Sequence, residues 1–179
     1  GINLEGLQVR EGEKSFFWAG RYHDDMVGRD TLDTQLNVLA DFDPVLPAHY
    51  RKVDYLMLGN LTPAIQRKVI EQLEHRPKLI ALDTMNFWIE GSRDALMRLL
   101  PRLDILMVND AEARQLADEP NLLKAARWIQ ARGPRWVVIK KGEHGAILYD
   151  RDRVFFVPGY PLESVFDPTG AGDSFAGAM

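Results

Sequence analysis

Cysteine is missing from all 179 residues, which excludes disulfides and thiolate chemistry and makes a reducing cytoplasm the expected compartment. Long apolar runs are missing too. None approaches the roughly 18 residues of a membrane span, and no signal peptide is visible. The net charge is −4 and the basic residues are dispersed, so there is no electrostatic footprint for nucleic acid or an anionic membrane, and neither is expected as a partner. His23, His49, His75 and His144 have no metal-ligand spacing and read as solvent-facing or structural. Low-complexity segments and Gly/Ser linkers are also lacking. What remains is an ordinary globular balance of 46% hydrophobic and 27% charged residues, which suits a single domain over residues 1–179 with a real core.

Val53–Leu58, Leu79–Asp83, Ile105–Val108 and Trp136–Ile139 are short apolar runs of the kind that form strands buried on both faces. Helical stretches separate them. Thr62 followed by Pro63 predicts a cap and a first helical residue, with Ile65, Val69, Ile70 and Leu73 on one face. Ser92 predicts the cap of a helix through Leu100, Asn109 of one through about Ala117, and Asn121 of one that ends at Gly133-Pro134. This alternation predicts an α/β fold, a doubly wound parallel sheet flanked by helices, with ligands at the carboxyl ends of the strands. Asp83, Asn109 and Lys140 fall at such ends.

Two regions depart from the alternation. Lys14–His23 is rich in strand-forming aromatics and is expected to pair with Thr31–Phe42 as a small β lid at about residues 14–42. The same period-two pattern would also arise if Phe16, Trp18 and Tyr22 only packed on the core. Gly145–Asp150 and Arg153–Val157 predict a hairpin turning at Asp150-Arg151-Asp152.

The densest chemistry lies in Asp167-Pro168-Thr169-Gly170-Ala171-Gly172-Asp173, which runs into Ser174-Phe175-Ala176-Gly177-Ala178-Met179. A small-residue turn that opens a helix directs free N–H groups and the positive dipole end at one point, which suits a transferring phosphoryl group. Phosphate would repel Asp173, so a carboxylate there suggests a base for an attacking hydroxyl. A Gly-rich turn with Asp in a first turn also occurs as plain structure. No Walker-type loop exists in the chain, and Gly170-Ala171-Gly172 supplies only half of a dinucleotide-binding fingerprint, so a dehydrogenase is not expected.

This motif resembles the C-terminal signature of the ribokinase-like (PfkB) carbohydrate kinases, and family-like segments recur in order along the whole chain. The resemblance implies an ATP-dependent phosphotransferase that moves the γ-phosphoryl group to a hydroxymethyl of a sugar or nucleoside-like substrate. Asp173 would be the base and a substrate contact, and the N–H groups of Gly170, Ala171 and Gly172 would stabilise the transferring group. Asp167 and Thr169 match positions where relatives seat a monovalent cation, here K+. Asn109-Asp110-Ala111-Glu112 has the spacing of a capping box, which by itself explains both end residues. In the resembled kinases an Asn-x-x-Glu motif here orders Mg2+ and phosphates, so Asn109 and Glu112 are candidates for that role as well.

Lys140-Lys141-Gly142-Glu143-His144-Gly145 resembles the family's nucleotide-approaching Thr-x-Gly-x-x-Gly, with Lys140 in place of Thr. Gly142 and Gly145 would permit close approach of ATP, and Lys140 or Lys141 could add charge to a phosphate, although a β-turn with surface lysines fits the same residues. Asp83-Thr84-Met85-Asn86 lacks the spacing and the Arg of the family's Asp-x-Asn-x-Arg. Asp83 and Asn86 are therefore candidate substrate contacts or members of a turn stabilised by its own side chains. The resemblance also implies a lid whose outer face supports a homodimer. It implies a fragment as well, lacking the family's first strand and final helices and so not expected to turn over alone. Rival readings on this scaffold are a catalytically silent nucleotide or sugar sensor, from which Asp173 discriminates, and a hydroxymethylpyrimidine-type kinase, against which the lid argues.

Overall fold

A computed structural model describes residues 1–24, 26 and 28–179. The aromatic segment forms β1 (Phe17–Tyr22), paired antiparallel with β2 (Arg29–Gln35), and the register shifts at Ala19/Gly20. Trp18 lies across Gly20, where an added Cβ would fall 2.2 Å from its ring, and its Nε1 donates to Thr31 Oγ1 at 3.3 Å. This two-stranded piece is a sheet of its own. The expected partner segment ends sooner than predicted, because Asn37–Leu39 turns into a short 3₁₀ helix.

The main sheet holds β3 (Tyr55–Leu58), β4 (Leu79–Asp83), β5 (Ile105–Asn109), β6 (Trp136–Lys140), β7 (Ala146–Asp150) and β8 (Arg153–Val157), in that spatial order. β3 to β6 are parallel, and β7 and β8 return as the predicted hairpin, antiparallel to their neighbours. Arg151 takes the left-handed conformation at its turn, with φ 51°. Three crossovers join the parallel strands: α1 (Pro63–Glu71), the pair α2 (Asn86–Gly91) and α3 (Arg93–Leu99), and the pair α4 (Asp110–Ala117) and α5 (Leu122–Gln130). Two crossovers contain two helices each; the pair α4 and α5 was expected, and α2 is the addition to the predicted pattern.

Each crossover moves one strand further in the same direction, so α1 to α5 share one face. Their Ile70, Ile89, Leu96, Leu99, Leu116 and Ile129 pack with Ile80, Leu82, Leu106, Val108, Val137 and Ile139 of the sheet. The alternate strand residues Ala81, Met107 and Val138 turn to the other face, where Ala176 of α6 (Ala171–Ala178) meets them. Helices therefore flank both faces of a predominantly parallel sheet, as expected. Away from α6 that second face is open: Tyr55 is 69% exposed and Val157 64%.

Caps differ from expectation in an instructive way. Asn109 and Asn121 bond the backbone N–H groups of Glu112 and Lys124. Thr62 and Ser92 stand at N-cap positions without a side-chain bond, so Pro63 and backbone geometry start α1 and the break after Gly91 starts α3.

Candidate active site

The carboxyl ends of β4, β5 and β6 bring Asp83, Asn109 and Lys140 to one edge of the sheet, and the start of α6 sits above them. Asn109 and Lys140 are register partners on adjacent strands. Lys140 reaches across β5, and its Nζ donates to Asp83 Oδ1 at 2.7 Å, with side chains only 15% and 6% exposed. A Cβ placed on Gly172 would lie 3.4 Å from that same Nζ. The ammonium is thus held over the first turn of α6. Burial pushes the Asp83 carboxyl above its ordinary range, Lys140 pulls against this, and the nearby Asp173 carboxylate adds to the rise.

Gly170 caps α6 in the left-handed conformation, with φ 78° and ψ 0°, which glycine adopts without strain. Asp173 then falls at the third helical position, exposed. The Ala171 N–H is not free as expected, because it donates to the Pro168 carbonyl at 3.1 Å and closes the turn. Among the described residues, the N–H groups of Gly170, Gly172 and Asp173 have no protein acceptor. The N–H groups left available at the helix start are therefore those of Gly170, Gly172 and Asp173, and not that of Ala171.

Asp167 Oδ1 accepts from the Thr169 N–H at 2.9 Å, and the hydrogen bonds from Thr169 hold its carboxyl below the usual range. The Thr169 hydroxyl donates to the Tyr22 hydroxyl at 3.2 Å, so the β1–β2 piece touches the motif directly. On α4 the full capping box is present: Asn109 Oδ1 accepts from the Glu112 N–H at 2.8 Å, and Glu112 Oε2 from the Asn109 N–H at 2.7 Å. Glu112 is 5% exposed. Among the described residues no group of three His, Asp or Glu side chains could hold a metal ion, so Glu112 and Asp167 do not build an all-protein metal cage.

The structure separates residues that the sequence grouped together. Asn86 is exposed at the start of α2, apart from the Asp83 carboxylate, which is bound to Lys140. Gly142 and Gly145 part ways: space around a Cβ on Gly142 is open, but on Gly145 it would fall 1.9 Å from the Val157 carbonyl. Gly145 serves the packing of the β8 exit and Gly142 alone leaves room for a ligand. Lys141 is half-buried, its N–H donating to the Gly145 carbonyl at 2.8 Å. Sequence reasoning also missed Gln66, 1% exposed, whose amide donates to the carbonyls of Gly59 and Asp83. Its Oε1 and the buried Thr84 Oγ1 have no hydrogen-bond partner beside Asp83. The available signal was a polar residue three and four positions before Val69 and Ile70, on the apolar face of the predicted helix.

Residues 22–179 match the family model described as "pfkB family carbohydrate kinase". The chain belongs to the PfkB family. The cytidine kinase of Thermococcus kodakarensis is 28% identical over 184 residues, covering 99% of this chain and 64% of the relative. Among solved structures, a candidate ribokinase II from E. coli, determined in complex with ATP and Mg2+, superposes with a TM-score of 0.59 at 27% identity over 70% of this chain and 44% of that one. The Burkholderia thailandensis nucleoside kinase, solved with inosine, shares the fold with a TM-score of 0.76 at 20% identity over 98% of this chain and 56% of that one. This PfkB chain thus spans less than two thirds of the length of these relatives. No helix among its described residues is long and apolar enough to cross a membrane.

Proposed function

We propose that the protein to which this chain belongs is an ATP-dependent kinase that phosphorylates a hydroxymethyl of a sugar or nucleoside, with the site at the start of α6. One observation carries the reading. Asp173 stands on the same helical turn as unpartnered N–H groups, above the sheet edge where Lys140 and Asp83 meet. A carboxylate here weakens the binding of an anion, which supports a chemical role for it beside a phosphate. Asp173 takes the proton of the acceptor hydroxyl, and the Gly172 and Asp173 N–H groups face the charge that develops on the transferring group. Bound ATP with Mg2+ supplies an activated phosphoryl group whose leaving oxygens are neutralised by the ion.

The residues fit those partners. Gly142 leaves open space at the end of β6 for the nucleotide. With no cluster of three acidic or His ligands among the described residues, Mg2+ would be carried by phosphate oxygens and water, with Glu112 in its outer shell. Asp167 and Thr169, joined by a hydrogen bond, stand where the resembled kinases seat a monovalent cation, which supports K+ there. Family membership and similarity to a cytidine kinase support including nucleosides beside sugars as acceptors. The test is a screen of the full-length protein against both classes, following ADP release. Substrate-dependent ADP formation is expected. Nucleotide binding without turnover on any hydroxymethyl acceptor would replace the kinase reading with that of a sensor.

A further inference from the structure

Lys140 replaces the Thr that the resembled nucleotide segment carries, and the structure gives the substitution a surrounding. Its side chain is 15% exposed. An ammonium has three N–H donors, yet among the described residues its only protein acceptor is Asp83, at 2.7 Å. Two donors are left over in a place largely screened from water, which is costly unless something accepts from them. The ammonium lies beside the first turn of α6, where a Cβ on Gly172 would fall 3.4 Å from its Nζ. There the Gly172 and Asp173 N–H groups are also without protein acceptors. One cation and two backbone donors therefore lie together at the first turn of α6, and the bond to Asp83 holds the lysine there.

We propose that Lys140, clamped by Asp83, is the side-chain cation that receives the terminal phosphate of a bound nucleoside triphosphate, and that Asp83 is its positioning residue and not a substrate contact. The proposal rests on the kinase reading. Charge balance supports it: Asp173 and Asp83 alone would make the mouth of α6 anionic and repel a phosphate. Lys140 neutralises one of them and leaves its remaining donors for the ligand. On the kinase reading the transferred phosphate would be the one at the helix start, so this contact would distinguish triphosphate from diphosphate.

The experiment measures ATP and ADP dissociation constants by calorimetry on the full-length protein, together with its rate. Lys140→Met is expected to weaken ATP at least about tenfold and ADP by less than about twofold, an effect on the order of one buried charge-assisted contact. Lys140→Arg should keep the preference for ATP. Removing the lysine leaves Asp83 as an uncompensated buried charge, so Lys140→Met combined with Asp83→Asn preserves the fold, and melting temperature checks this. That double variant should still bind ATP weakly relative to ADP. Asp83→Asn alone should loosen Lys140 and shift the ATP affinity in the same direction by a smaller factor. Equal losses for ATP and ADP in Lys140→Met, or recovery of wild-type ATP affinity in the double variant, would reduce the pair to a structural ion pair. An active wild-type enzyme with an unaffected Lys140→Met variant would overturn this proposal alone. A wild-type protein that binds neither nucleotide would overturn the kinase reading and this one with it.

Discussion

Asp173 concentrates the chemical argument at the scale of single residues, since it sits in the first turn of α6 with its carboxylate exposed and its charge felt at Asp83. Asp173→Asn keeps the shape and removes the base, so kcat should fall by about 10² to 10⁴. ATP affinity should hold or improve, because a negative charge near phosphates is gone. Measuring kcat and ATP binding on the same variant separates the cases: near-normal kcat would remove Asp173 as the base, and joint loss of binding and rate would make it structural. Glu112 is the second such residue. Its carboxylate closes the capping box, and Gln at this position can make the same backbone bond. Glu112→Gln should therefore melt close to wild type while the Mg2+ concentration for half-maximal rate rises. An unchanged Mg2+ curve, with the melting temperature also unchanged, would confine Glu112 to capping.

The hairpin shows how charge secures an element that packing alone leaves thin. β8 is exposed along its whole length, and its start is held where Asp150, 7% exposed at its side chain, meets Arg135 and Arg153. Burial alone would raise the Asp150 carboxyl, but the two guanidinium groups outweigh it and keep it below the ordinary range. The native state then binds a proton more weakly than the unfolded chain. The resulting stabilisation is fully present above the unfolded carboxylate value of about 4 and is lost as pH falls through the lower folded value. Denaturation midpoints followed from about pH 6 to about pH 2 should decline steeply on the acid side. Asp150→Asn should lower the midpoint at neutral pH and flatten that decline. Identical acid slopes in the two proteins would exclude Asp150 as a source of the sensitivity.

At the scale of the whole molecule, the motif loop is where distant parts meet. Thr169 bonds the Asp167 carboxylate through its N–H and Tyr22 of β1 through its hydroxyl, so the lid-like piece and the start of α6 share one residue. A cation seated at Asp167 and Thr169 would order both. Activity of the full-length enzyme should accordingly be higher in K+ than in a matched Na+ buffer at equal ionic strength. Indistinguishable rates in the two salts would argue that the loop is set by its own hydrogen bonds.

The amino-acid sequence by itself determined the four parallel strands, the closing hairpin, the Asn-capped helices α4 and α5, and the motif turn with Asp173 behind it. These are local properties: apolar runs, side-chain caps and glycines act within a few residues of where they are written. Helix α2 escaped that reading because Met85 gives it no side-chain cap. Only the tertiary structure decided which of the marked residues work together. Lys140 and Asp83 are 57 positions apart, and Tyr22 and Thr169 are 147 apart. Their meeting depends on strand order and register, which no short window of sequence contains. The same holds for the two glycines after β6, identical in the sequence, of which one faces open space and the other the Val157 carbonyl. Their difference was settled by where β8 returns, because a steric contact exists only once both partners are placed.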